Sequence, residues 1–72
     1  MFIKTRDRRI INLKDIKSIY LEEINSDLYL IQADDFYDCS YCVYQGTNEE
    51  NVENIFYEII GEIENQGLLI EV

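Results

Sequence analysis

Seventy-two residues make one small domain, and with no proline or histidine and only two cysteines its core has to come from aliphatic side chains, twelve isoleucines foremost. The net charge of −9 disfavours nucleic acid and anionic membrane as direct ligands, and no apolar run approaches the ~20 residues of a membrane span. All six bases (Lys4, Arg6, Arg8, Arg9, Lys14, Lys17) precede residue 18, where two acids leave that segment at +4, and thirteen acids with no base follow.

Phe2–Thr5 reads as a first strand, Arg6–Arg9 as a charged turn and Ile10–Leu13 as a second strand. Apolar residues three apart in Leu13–Ile19 suit one helical turn or a tight bend. Ser18–Ile24 is rich in β-branched and aromatic residues and predicts a third strand, closed by the turn cluster Asn25-Ser26-Asp27. Leu28–Ala33 predicts a fourth strand, Asp34–Asp38 a loop, and Cys39–Gln45 a fifth strand ending at Gly46. Thr47-Asn48-Glu49-Glu50 has the capping-box form, with Thr47 as the expected cap. Val52, Ile55, Phe56, Ile59, Ile60 and Ile63 then form one helical stripe, and Gly67 stands where a left-handed stop is expected. Leu68–Val72 predicts a short last strand. The expected fold is therefore α+β: an antiparallel sheet of five to six short strands, with one amphipathic C-terminal helix packed on it.

The phrase Ile10-Ile11-Asn12-Leu13-Lys14-Asp15-Ile16-Lys17-Ser18-Ile19 resembles a strand–bend–strand element of the PH-like domains of bacteria. A single alanine (Ala33), no proline and abundant Ile, Asn, Glu, Lys and Tyr give the chain the style of an AT-rich bacterial or phage genome. In that style it resembles small acidic phage-encoded inhibitors of host nucleases, anti-CRISPR proteins among them.

Chemistry-bearing motifs are few. Cys39-Ser40-Tyr41-Cys42 is a lone C-x-x-C; one chain without histidine cannot complete a four-ligand zinc site, which leaves structural cysteines or zinc shared across a dimer. Asp34, Asp35 and Asp38 lack the ligand spacing of a calcium loop, so no metal site and no cofactor are expected. With no histidine, phosphate loop or nucleophile elbow, no catalytic residue stands out and a non-enzyme is expected.

The helix carries a stronger signal. Glu49, Glu50, Glu53, Glu58, Glu62 and Glu64 decorate it without one lysine or arginine at i,i+4, and Tyr57 faces outward among them. An ordinary wet helix face accounts for the stripe but not for the missing bases. The expected function is an acidic protein-interaction module, cytoplasmic, whose carboxylates occupy a basic cleft that evolved for nucleic-acid phosphates. Its expected contacts are Glu50, Glu53, Tyr57, Glu58, Glu62 and Glu64 of the helix, with Asp34, Asp35, Tyr37 and Asp38 of the loop. The alternative is a module that self-associates, as a homodimer or head to tail, by docking Arg6, Arg8 and Arg9 on a neighbour's acidic face.

Overall fold

The computed structural model describes residues 1–72. In chain order it runs β1 (Phe2–Lys4), β2 (Ile10–Asn12), a single 3₁₀ turn (Leu13–Asp15), β3 (Ile16–Asn25), β4 (Leu28–Asp35), β5 (Ser40–Gly46), α1 (Glu49–Glu64) and β6 (Leu69–Glu71). The class is α+β, as the sequence predicts, with one helix packed on a sheet and a short strand after it. The strands, however, form two three-stranded sheets, ordered β2-β1-β6 and β3-β4-β5, and β6 joins β1 in parallel.

The larger sheet is built from two hairpins, β3–β4 and β4–β5, both antiparallel. Strand β4 alternates strictly: Tyr29, Ile31, Ala33 and Asp35 are buried, while Leu28, Leu30, Gln32 and Asp34 are half-buried on the other face. That period of two is what a sheet with one covered face requires. The cover is α1, whose Val52 and Ile59 are fully buried against Ile31, Ala33 and Val43. Burying an isoleucine fully is worth roughly 2–3 kcal/mol, so this stripe supplies much of the margin of so small a domain.

The smaller sheet obeys the same logic on one face only. Ile3, Ile11 and Ile70 lie side by side in register and close the same core. Phe2, Lys4, Ile10, Leu69 and Glu71 face outward and are exposed.

Several local expectations need correction. Asn48, not Thr47, caps α1: its side-chain oxygen accepts from the Asn51 amide at 3.1 Å. Both residue types can fill a cap, and the helix begins one residue later than the box implied. At the other end Gln66, not Gly67, takes the left-handed conformation, with φ 56°. The Gln66 amide donates to the Ile63 carbonyl and the Gly67 amide to that of Glu62, which together make a Schellman closure with glutamine in the strained position. Asp34 and Asp35 belong to β4 rather than to a loop. A regular Cys39–Gln45 strand would set Tyr41 and Tyr44 on opposite faces, but a bulge leaves Val43 as an extra residue, so Tyr44 pairs with Ile31 and joins Tyr41 on the helix-side face. Gly46 ends β5 against the first turn of the helix. A Cβ there would lie 2.9 Å from the buried Val52 Cγ2, so the residue has to be glycine for the two elements to meet.

Candidate functional site

The expected contact residues do not form one surface. The helix glutamates lie on the side of the large sheet covered by α1. Asp34 projects from the opposite face, where its carboxylate accepts from the Ser40 hydroxyl (2.7 Å) and the Tyr20 hydroxyl (3.2 Å). Tyr20 is held protonated above its ordinary range, first by burial and then by that carboxylate.

Asp35 is a residue of the interior. It is 7% exposed, and its two oxygens accept from the amides of Tyr37 (2.8 Å) and Cys39 (2.9 Å) and from the Tyr41 hydroxyl (2.8 Å). The Cys39 amide bond does most to hold this carboxyl below the usual aspartate range, against the opposing effect of burial, while Tyr41 is pushed up by the same carboxylate. These bonds set the turn between β4 and β5, in which Asp38 adopts φ 64°. The Asx-turn spacing from Asp35 to Tyr37 was a legible signal for this role. Asp38 is exposed at the turn and pairs with Lys17 at 2.7 Å, which raises the lysine. Tyr37 stands almost free, 88% exposed.

The basic end is partly spent on the chain's own structure. In the β1–β2 turn the Thr5 hydroxyl donates to Asp7, and Arg9 pairs with Asp7 at 2.8 Å. Both contacts lower Asp7, the threonine hydroxyl most. Arg9 also donates to the Cys42 carbonyl on the outer edge of β5, at 3.4 Å, and the Arg6 guanidinium lies 4.8 Å from the centre of the Tyr44 ring. Arg8, at φ 68°, makes no side-chain hydrogen bond or ion pair. Of the three arginines proposed for self-association, two therefore cover β5. Cys39 is exposed ahead of β5, Cys42 is half-buried within it, and both are free thiols.

The helix differs throughout. None of Glu49, Glu50, Glu53, Glu58, Glu62 or Glu64 takes part in a salt bridge; the chain has two, Arg9–Asp7 and Lys17–Asp38. All but Glu53 are exposed, and Glu53 is half-buried. At 3.6 residues per turn, Glu50, Glu53, Tyr57 and Glu64 fall on one line along the helix, and Glu58 and Glu62 on the opposite shoulder. Tyr57 is 67% exposed and stands edge-on to Phe56, with ring centroids 5.9 Å apart. The N-terminal glutamates favour the helix dipole; Glu62 and Glu64 in the last turn oppose it, and no base stands there to offset them.

No family model, curated protein or solved structure matches this chain. No helix is long and apolar enough to cross a membrane.

Proposed function

We propose that this chain is a non-catalytic, cytoplasmic interaction module that binds a basic protein surface through the outer face of α1. The partner we favour is a nucleic-acid-handling protein whose phosphate-binding cleft the module occupies, in the manner of a phage or mobile-element inhibitor. The observation that carries the reading is the set of six helix carboxylates without a single intramolecular cation. Holding like charges on one face destabilises the free protein, and a partner's lysines and arginines relieve that repulsion on binding. Exposed Tyr57, set among Glu50, Glu53 and Glu64, adds a rigid contact of the kind enriched at binding hot spots.

Asp34 belongs to a separate patch, across the sheet from the helix, and Asp38 is engaged by Lys17 in the β4–β5 turn. Asp35 is a fold-holding residue and is not part of the contact surface. The experiment is affinity capture from nuclease-treated bacterial lysate, eluted with rising salt, comparing the native chain with a variant in which Glu50, Glu53, Glu58, Glu62 and Glu64 are glutamine. The native chain is expected to retain a basic nucleic-acid-handling protein that salt releases, and the folded variant to retain none of it. Equal capture by both would refute the helix as the binding face.

A further inference from the structure

The two long edges of the large sheet are treated differently. The outer edge of β5 is covered by the β1–β2 turn, through the Arg9 bond to the Cys42 carbonyl and Arg6 over Tyr44. The outer edge of β3 is bare: β4 is its one neighbour, and no backbone group of Lys17–Asn25 bonds to anything beyond that ladder. Strand β3 is also the longest in the molecule, at ten residues, and contains no proline. Its core-side residues Ile19 and Leu21 pair with fully buried Ala33 and Ile31, yet both stay half-buried because nothing lies beyond them. A row of unmet amides and carbonyls beside half-covered apolar side chains is a template for another strand.

We propose that a second copy of this chain supplies that strand, pairing β3 with β3 antiparallel about a two-fold axis at Tyr20. Register shifts at Lys17 and Ile24 bound a regular window, Ser18–Glu23, and that window is complementary to itself. Centred on Tyr20, the pairing sets Ile19 of each copy opposite Leu21 of the other on the core side. On the outer face it sets Ser18 opposite Glu22, where the hydroxyl donates to the carboxylate. Just outside the window Lys17, which also holds Asp38 of its own copy, comes beside Glu23 of the other copy, giving two ion pairs related by the axis. Moving the axis one residue along, to Leu21, sets Ile19 opposite Glu23 and removes both ion pairs, so charge and hydrophobicity select the same register. The product is a six-stranded antiparallel sheet with both helices on one side, their glutamate faces outward. Each copy carries −9, so association strengthens as salt screens the repulsion.

The test is sedimentation equilibrium of the full chain over a concentration series, at low and physiological salt, with amide hydrogen exchange at low and high concentration. The expected result is a dimer favoured by salt, with Ser18–Glu23 amides that gain protection as concentration rises. Lys17→Glu sets acids opposite Glu23 and is expected to weaken the dimer about tenfold or more. The double variant Lys17→Glu/Glu23→Lys is expected to restore it, because the two positions lie at opposite ends of one strand and meet only between copies. Circular dichroism checks that each variant is folded. A monomer at every concentration, a dimer indifferent to Lys17→Glu, or a folded double variant that stays monomeric each overturns the proposal.

Discussion

Two sets of carboxylates in this chain look alike in sequence and behave oppositely in the fold. Asp34, Asp35 and Asp38 each have a partner within the molecule: hydroxyls for the first, two amides and a phenol for the second, a lysine for the third. The six glutamates of α1 have no cation to pair with. The denser cluster is thus architecture, and the dispersed one carries charge that nothing within the chain neutralises. A run of acids is informative about binding only after its internal bonds have been assigned.

Substituting Asp35 breaks the contrast most severely. Asp35→Ala leaves the Tyr37 and Cys39 amides and the Tyr41 hydroxyl without an acceptor in a buried turn, and is expected to lower Tm by roughly 10 °C or more in a thermal melt. Acid sharpens the same point. Because the folded Asp35 titrates below its unfolded value, its contribution is present above the ordinary aspartate pKa of about 3.9 and is lost as pH falls through the depressed folded value. Urea titrations of the native chain and Asp35→Asn are therefore expected to differ most near neutral pH and to draw together as pH falls below the ordinary aspartate range.

The helix is expected to respond in the other direction. Changing its glutamates to glutamine removes repulsion and no bond, so the multiple variant should melt at the same temperature as the native chain or a few degrees above it. Glu62→Lys places a base in the last turn, four residues after Glu58, and should add about 0.5 kcal/mol in urea denaturation. The smallest effect belongs to Asp38→Asn. Its ion pair with Lys17 lies in solvent, and its loss should leave Tm unchanged within error.

Much of the fold was legible because its signals are local. The apolar stripe of α1, the turn clusters at Asn25–Asp27 and Arg6–Arg9, and the β-branched runs locate the strands and helix to within a residue or two. What was not legible is non-local or degenerate. Nothing near Phe2 or Leu69 announces that they pair in parallel from opposite ends of the chain, so the division into two sheets left no local trace. Thr47 and Asn48 are both competent caps, and only the backbone decides between them. Gln66 carries no sign of a left-handed conformation when a glycine follows it. In the candidate site the bare helix acids could be read from the absence of bases, whereas the sheet position of Asp34, the burial of Asp35 and the shift of Tyr44 depend on register and on a bulge at Val43.

If the helix carboxylates stand in for phosphates, the chain and a nucleic acid must exclude each other from the partner's cleft. With the captured partner purified and bound to a labelled nucleic acid, the native chain is titrated in and the release of label is followed. Stoichiometric displacement is expected, lost when the helix glutamates are glutamine. A ternary complex, with the nucleic acid retained while the chain binds, would contradict it.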